Sequence, residues 1–376
     1  MFLYDVTRSY FEGQFNELSA FGYNRDEKKG KKQIVIGLLT DAEGDPVSVQ
    51  VYRGNTHDTG TFQDQIDKTC RRLGIKGVTF VGDKGMIKGD QQQALKKVDY
   101  HYITSVTKPQ IEKLLKKDVF QMSLFDEEVK EIACGDGVRY VLRKNPIRAE
   151  QMQRSREQKG KIITSLIEER NQYLQNHPRA KPEVALRKVN QKIGRLKATK
   201  WLKAEMDGQR TLKLIQDQQA LQQVSRLDGC YVIKSDVPAP MASAQQLHDR
   251  HKDLSKVEQA FKDIKTQYLE VRPIYLRNKE RTAAHVFTAM LSYKINRYLE
   301  QCWKPMDMTV SEAIDKLSEI SILQVQNGGH SYNIIPQPDK ISGQLLSLAE
   351  VSLPSSIPLR TANVYTRKNI STNRKA

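Results

Sequence analysis

The sequence predicts an α/β protein built on a mixed β-sheet with helices on its faces, and three observations lead to this prediction. Short apolar runs typical of strands recur through the first hundred residues. Amphipathic helical segments alternate with the later runs. Turn-forming residues separate the segments at short intervals. From about residue 106 a long polar stretch interrupts this pattern, so we expect a large insertion within the α/β domain.

The first part of the chain predicts three strands followed by alternating helices and strands. Five strands are predicted at residues 2–7, 33–39, 47–52, 78–83 and 101–105. Two helices are predicted at residues 58–73 and 90–97. The turn residues 41–46 join the second and third strands as a hairpin. The order β-β-β-α-β-α-β, with three antiparallel strands and then parallel returns, is the order expected of a ribonuclease H-like sheet.

The inserted stretch predicts a helical hairpin. Short strands are expected around the turn at residues 135–137, and two helices are expected on either side of a break at residues 176–178. A coiled-coil-like seam is predicted from spacings of three and four residues between Leu186, Val189, Ile193 and Leu196. The stripe expected to face that seam consists of Ile163, Leu166 and Tyr173.

These patterns divide the chain into four expected regions. Residues 1–105 and 236–305 form the first and second parts of the ribonuclease H-like domain. Residues 106–235 form the insertion domain as a separate body. Residues 306–376 form a C-terminal region with a basic tail, and the part after Pro358 is expected to be disordered.

The charge of the chain points to a polyanionic partner. The formal net charge is +17 and the isoelectric point is near 9.5, so phosphate neutralisation and counterion release favour binding to nucleic acid. Ribosomal proteins, membrane-surface proteins and ordinary enzymes are basic as well. The outer face of the helical hairpin is rich in cations, and those expected to contact DNA phosphates are Arg187, Lys188, Lys192 and Arg195. The alternative is an ordinary solvated helix surface.

Composition excludes several other classes of protein. No apolar run approaches the roughly 20 residues needed to cross a bilayer, and the acidic start of the chain does not fit a signal peptide. We therefore expect a cytoplasmic protein. The four cysteines include no CxxC pair, so the sequence indicates neither a zinc site nor a disulfide framework.

Two aspartates on predicted strands are the first candidates for chemistry. Asp5 lies within the first strand, and Asp83 ends the fourth. A carboxylate in or at the end of a core strand is costly to bury unless a cation compensates its charge. Two such carboxylates on neighbouring strands suggest a cation, either a metal ion or a positively charged partner. Taken singly, each is more often an ordinary turn or cap residue.

The third candidate acid, Glu258, lies on a helix predicted over residues 245–267. Val257, Phe261 and Ile264 form an apolar stripe that packs on the sheet, and Glu258 lies at its border. His251 and Lys265 lie seven residues before and after Glu258, close to two helical turns each way, and share its face. The alternative is an exposed amphipathic helix whose charged residues are only solvated.

Taken in order, these segments resemble the DDE transposases of bacterial insertion sequences, in the branch with a Y-x2-R-x3-E-x6-K signature. The resemblance extends over roughly residues 1–350, and its motifs are Tyr4-Asp5-Val6-Thr7, Phe21-Gly22-Tyr23 before the strand at 33–38, Gly54-Asn55-Thr56-His57-Asp58-Thr59, Gly82-Asp83-Lys84-Gly85-Met86 and the segment 257–265. Each motif is modest, but the ordered set is specific.

The resemblance implies a function and a set of site residues. Asp5, Asp83 and Glu258 would be the catalytic, metal-binding acids of an endonuclease that cleaves DNA and transfers strands with two Mg²⁺ ions, for which Mn²⁺ can substitute. Lys265 would contact DNA near the cleavage site, with His251 beside it. The implied partners are double-stranded DNA, at transposon ends and target, and a second copy of the chain in a homodimer. The implied location is the bacterial nucleoid.

Two departures from the family pattern leave other functions open. His251 stands where the signature has Tyr, and Leu254 stands where it often has Arg. Only four residues precede Asp5, whereas family members usually place an end-recognition region there, so a truncated or split reading frame is expected. The alternatives are an inactive transposase that inhibits by binding DNA or a partner, and a host nuclease or resolvase on the same fold.

Overall fold

The computed structural model describes residues 1–354 except 24–29, 75–76, 128, 209, 267–268, 270 and 328–329. The disorder expected after Pro358 therefore lies outside the described residues. The strands described are β1 (Phe2–Tyr10), β2 (Gln33–Thr40), β3 (Pro46–Arg53), β4 (Thr79–Gly82), β5 (His101–Ser105), β6 (Lys130–Ala133), β7 (Arg139–Lys144), β8 (Leu202–Asp207), β9 (Thr211–Gln216), β10 (Cys230–Ser235), β11 (Leu323–Asn327) and β12 (His330–Ile334).

Helices cover the sheet and form most of the remaining chain. The helices described are α1 (Asp58–Leu73), α2 (Gly89–Lys97), α3 (Lys108–Lys116), α4 (Pro146–Asn176), α5 (Pro182–Arg195), α6 (Gln218–Ser225), α7 (Ala244–Lys252), α8 (Leu254–Thr266), α9 (Lys279–Trp303), α10 (Val310–Leu317) and α11 (Lys340–Leu348). The single helix predicted over 245–267 is thus divided at Asp253 into α7 and α8.

The predicted sheet order is confirmed. The main sheet has the order β3-β2-β1-β4-β5-β10-β7-β6. Strands β1, β2 and β3 are antiparallel neighbours, while β4 pairs parallel with β1 and β5 pairs parallel with β4. Three antiparallel strands followed by parallel returns give the ribonuclease H-like arrangement that the sequence predicts.

The predicted insertion, residues 106–235, is not separate from this sheet, because it contributes strands β6, β7 and β10 to it. Strand β10 pairs antiparallel with β5, and β7 and β6 continue the sheet beyond it. The physical reason lies in β7, where the consecutive residues Val141 and Leu142 are both buried, one in each core. A strand that is apolar on both faces is stable only inside a covered sheet. The rest of the predicted division into regions stays a prediction.

Alternating side chains of the central strands supply two separate cores. Tyr4 and Val6 of β1 pack with Phe62 of α1 and Leu95 of α2 on one face. Leu3 faces the other way, into a core that helices α7, α8 and α9 cover. Because successive residues of a strand point to opposite faces, this division fixes the face to which Asp5 belongs.

Helices α4 and α5 form the predicted helical hairpin. One contact predicted between them is wrong, and one neighbouring element was not predicted. Val189 and Ile193 of α5 pack with Ile163 of α4, as predicted. Tyr173 does not face them: it is 47% exposed and stacks on His177, with ring centroids 4.1 Å apart. Ile167 and Leu174 of α4 are buried instead. The β8–β9 hairpin, which the sequence did not predict, covers both helices.

Close packing at Gly54 generates the first prediction. A Cβ built on Gly54 would lie 1.9 Å from the carbonyl oxygen of Gln33 and 2.7 Å from that of Ala20. Because both neighbours are backbone atoms, Gly54→Ala should lower the free energy of unfolding by at least about 2 kcal/mol. Gly89→Ala is the control, since a Cβ on Gly89 meets no atom within 4 Å among the described residues. Equal urea midpoints for the two variants would contradict the packing.

Candidate active site

Strand pairing brings Asp5 and Asp83 to neighbouring positions. Strands β1 and β4 are parallel, and Tyr4 lies opposite Gly82, so the next residues along, Asp5 and Asp83, are level with each other. Leu3 and Val81, two residues earlier, lie in the same core. Both aspartates therefore belong to the face that α7 and α8 cover, and both are half-buried.

The turn after β4 orients the carboxylate of Asp83. The backbone N–H of Lys84 donates a 2.7 Å hydrogen bond to Asp83 Oδ1, and the N–H of Met86 donates to the Asp83 carbonyl at 2.9 Å. Ser105 at the end of β5 lies next to Asp83 across the sheet, with its hydroxyl 3.5 Å from Oδ1. These contacts fix one oxygen of the carboxylate.

Helix α8 lies along β1 and carries the third acid. Its buried residues, Val257, Ala260, Phe261 and Ile264, pack into the same core as Leu3. Near its start, Lys256 Nζ donates to the carbonyl of Ala42, 2.7 Å away, just beyond the end of β2 that pairs with the start of β1. Near its end, Lys265 Nζ donates to the hydroxyl of Thr7 and to the carbonyl of Arg8, the latter at 2.9 Å. The helix therefore runs parallel to β1.

These anchors also fix the side of α8 on which Glu258 lies. Lys256 points towards the β2–β3 turn, where Arg297 of α9 binds Asp45. Glu258 follows two residues later, which is about 200° around the helix. It therefore lies on the opposite side of α8, towards β4. Lys265 is about half a turn around from Lys256 as well, so it shares that side with Glu258.

The two aspartates and Glu258 share a face of the sheet but do not form a closed cluster. Glu258 is exposed, and within the described ranges no group of three His, Cys, Asp or Glu side chains could hold a metal ion. The donor chemistry nevertheless fits a hard cation, since carboxylate oxygens are the ligands that Mg²⁺ prefers. Asp5 and Asp83 could hold such an ion between β1 and β4, with Glu258 offering a further carboxylate from α8.

His251 forms the wall of the site beside Asp83. Its Nε2 atom is buried and has no hydrogen-bond partner among the residues that the structure describes. Burial lowers the pKa of His251 to about 4, despite the opposing charge of Asp83. The position that carries Tyr in the signature thus holds a neutral imidazole near Asp83. Leu254, which stands where the signature often has Arg, packs against the core instead.

The other predicted contact residues lie in two different kinds of surroundings. Lys265 is tied to β1 through Thr7 and Arg8, so part of its hydrogen-bonding capacity is used inside the protein. The cations predicted on α5 are all exposed and form no ion pair with any residue that the structure describes: Arg187, Lys188, Lys192 and Arg195.

Sequence reasoning missed a polar group next to these acids. Arg143 on β7, Tyr231 on β10 and His248 on α7 are in contact with one another. They are separated by 88 and 17 residues, so spacing gave no signal. Their common feature is a polar side chain at a position where the neighbouring residues of the same face are apolar.

The described structure thus has two aspartates at neighbouring positions of parallel strands in a ribonuclease H-like sheet, and a glutamate on a helix that covers the same face. The chain belongs to the DDE transposase family: the family described as "Transposase DDE domain" matches residues 2–295. That range contains all three acids, and the family predicted from the sequence is confirmed.

The chain is similar to a piggyBac transposase, solved by cryo-EM in a synaptic complex with hairpin DNA, with 9% sequence identity and a TM-score of 0.38. The match covers 92% of this chain and 51% of that one, so the chain spans about half the length of that protein. No curated protein matches the chain. Among the described helices, none combines the length and apolar character needed to cross a membrane.

The depressed pKa of His251 generates the second prediction. Because its pKa in the fold is about 4 and an unfolded histidine titrates near 6.5, the unfolded chain binds more protons between these values. Stability should therefore fall as pH drops from 6.5 towards 4, by up to about 3 kcal/mol. His251→Gln should remove this part of the pH dependence, measured by urea unfolding in EDTA at pH 7 and pH 5.

The control is His57→Gln, which removes an exposed histidine. It should keep the pH dependence of the wild type. If His251→Gln and His57→Gln lose stability equally between the two pH values, His251 is not buried in its neutral form.

Proposed function

We propose that this chain cleaves DNA and transfers the cut strands at transposon ends, using Asp5, Asp83 and Glu258 as its catalytic acids. One observation carries the proposal. Asp5 and Asp83 lie side by side on parallel strands, on the face covered by the helix that bears Glu258. In a member of the DDE transposase family, two carboxylates at neighbouring positions of parallel strands are suited to a divalent metal ion.

In this proposal Asp5, Asp83 and Glu258 would hold two Mg²⁺ ions, with Mn²⁺ as a substitute. The chemistry supplied by bound metal is activation of water or a DNA 3′-hydroxyl and stabilisation of the leaving oxygen. The Lys84 N–H and the Ser105 hydroxyl keep the Asp83 carboxylate in one orientation. A cation between the acids would also relieve the repulsion of their like charges.

Lys265 and His251 would act beside these acids. Lys265 joins α8 to β1 through Thr7 and Arg8. These bonds support a role in setting where Glu258 lies along β1 relative to Asp5. Its charge, on the same side of α8 as Glu258, would also attract the DNA end. Since Nε2 of His251 is buried, its proposed contact with DNA beside Asp83 would be made by the part of the residue that stays accessible.

Double-stranded DNA is the proposed substrate, at both the transposon ends and the target. The net charge of +17 and the exposed cations of α5 support this, because each neutralised phosphate releases counterions. We further propose that two copies of the chain act together as a homodimer, one on each end of the element.

Asp83→Asn is the third prediction and separates an enzyme from a DNA-binding protein. The amide keeps the size and polarity of the side chain but removes a metal-ligating charge, so cleavage should fall by several orders of magnitude. DNA affinity should be retained or rise slightly, because a negative charge near phosphate is lost. The measurement compares nicking of a DNA carrying the transposon ends, in Mg²⁺ or Mn²⁺, with binding of the same DNA in EDTA.

The control is Asp99→Asn, a change to an acid in the turn after α2. Asp99 lies outside the pairing of β1 with β4, so this variant should cut like the wild type. Should Asp83→Asn cut as well as wild type, the assignment of the acids is wrong. Should the wild type bind DNA without nicking it, the chain is an inhibitory binder instead.

The fourth prediction tests the basic surface of α5. Replacing Arg187, Lys188, Lys192 and Arg195 with Gln should reduce the slope of log affinity against log salt by about 3 to 4, if each cation neutralises one phosphate. Fluorescence anisotropy with a duplex oligonucleotide measures the slope. A matched control neutralises four exposed lysines on other helices: Lys96, Lys97, Lys116 and Lys117. Equal slopes for the two fourfold variants would show that the α5 cations form an ordinary solvated surface without a specific role in DNA binding.

A further inference from the structure

We propose that Arg143, which lies over the ring of His248, binds a DNA backbone phosphate about 14 Å from the candidate acid Asp83. This inference rests on the proposed function and adds a phosphate-binding residue to it. It starts from the contact of three polar side chains, Arg143, Tyr231 and His248, on the face of the sheet that carries Asp83.

Strand register locates Arg143 at the edge of the sheet where Asp83 lies. Ile233 of β10 is opposite Ser105 of β5 and also opposite Val141 of β7. Ile233 and Val141 both face the core under α7. Tyr231, two residues before Ile233, is paired with Arg143, two residues after Val141. Both therefore lie on the same face of the sheet, beyond the carboxyl end of β5.

The guanidinium of Arg143 lies over the ring of His248. Its Nη1 atom is 3.1 Å from Nδ1 and 3.3 Å from Nε2 of His248. An atom in the plane of the imidazole at these two distances would overlap the carbon between the nitrogens. Nη1 must therefore lie above the ring, so the contact is a stack rather than a hydrogen bond.

Other groups occupy both nitrogens of His248. The Tyr231 hydroxyl is 2.6 Å from Nε2, and a carboxylate oxygen of Asp249 is 3.0 Å from Nδ1. A carboxylate accepts only, so Nδ1 donates to Asp249 and Nε2 accepts from Tyr231. His248 is only 2% exposed, and these two bonds hold its ring as a fixed platform.

Arg143 forms no ion pair with any residue that the structure describes, so its other N–H groups are available to a ligand. Its printed contacts with His248 involve Nη1 alone, and the planar fork of N–H groups in a guanidinium matches a phosphate. The charges nearby are mixed. Asp249 is exposed and is held by Gln245, and Lys252 lies on the same helix.

Distance and connection to the site indicate a DNA phosphate rather than a free anion. Arg143 is three strands from Asp83, about 14 Å at the usual strand spacing, which corresponds to about four base pairs along a duplex. Helix α7 carries His248 over Arg143 and His251, one turn later, beside Asp83. One helix thus supports both the acid and the proposed phosphate contact.

The test measures the salt dependence of DNA binding without metal, using a random-sequence duplex oligonucleotide in EDTA. Arg143→Gln should lower the slope of log affinity against log salt by about 0.9, and binding at physiological salt should be about tenfold weaker. Arg53→Gln is the matched control, since Arg53 is exposed on the far edge strand β3. It should bind like the wild type.

Two results would overturn the proposal: a folded Arg143→Gln with the wild-type slope, or an equal loss in Arg53→Gln. If Arg143→Gln does not fold, Arg143→Lys tests the proposal instead, because lysine keeps the positive charge but lacks the planar guanidinium. It should keep the wild-type slope and bind several-fold more weakly, and unchanged affinity would contradict the stacked fork. Because the assay needs no cleavage, a wild type that binds but never nicks refutes the proposed activity and leaves this comparison intact.

Discussion

The parallel pairing of β1 with β4 is the constraint on which the candidate site depends. It sets Tyr4 opposite Gly82, and therefore brings two carboxylates that are 78 residues apart in sequence to adjacent strands. A shift of register by one residue would turn one of the aspartates to the other face. The buried residues on both sides of β1, Leu3 and Tyr4, oppose such a shift because each belongs to a different core.

The helices that cover Asp5 and Asp83 are held in place by packing on the central strands of the sheet. Helix α8 lies along β1 between anchors at Ala42 and Thr7, which keeps Glu258 on the side towards β4. Helix α7 lies over β4 and β5, and it brings a neutral His251 next to Asp83. The site therefore combines two acids on strands with groups from two consecutive helices, and its position relative to the sheet is set by packing rather than by loops.

Much of the fold could be predicted because its signals are local. The alternation in β3 and the glycine that ends α1 lie within a few residues of the structures that they specify. Asp5 and Asp83 stand out in the sequence because they are polar residues within or directly after apolar strands, and their catalytic role stays a prediction. Tyr173 was misassigned because a neighbouring leucine, Leu174, fits the helical period equally well and His177 offers the tyrosine a stacking partner.

Features that depend on long-range pairing could not be predicted. The sheet continues through β10 and β7 because Val141 and Leu142 need cover on both faces, which a single short run does not reveal. The stack of Arg143 on His248 joins residues 105 positions apart. The break at Asp253 was missed because both α7 and α8 have helical periodicity and no proline or glycine separates them.

If Asp5, Asp83 and Glu258 bind metal together, metal-directed cleavage of the protein chain should occur at all three. Fe²⁺ bound in place of Mg²⁺ generates hydroxyl radicals with ascorbate and peroxide, and these cut the polypeptide next to the ion. We expect cuts near residues 5, 83 and 258, suppressed by excess Mg²⁺ and lost in Asp83→Asn. Cuts elsewhere, or a pattern that Asp83→Asn leaves unchanged, would contradict shared metal binding by the three acids.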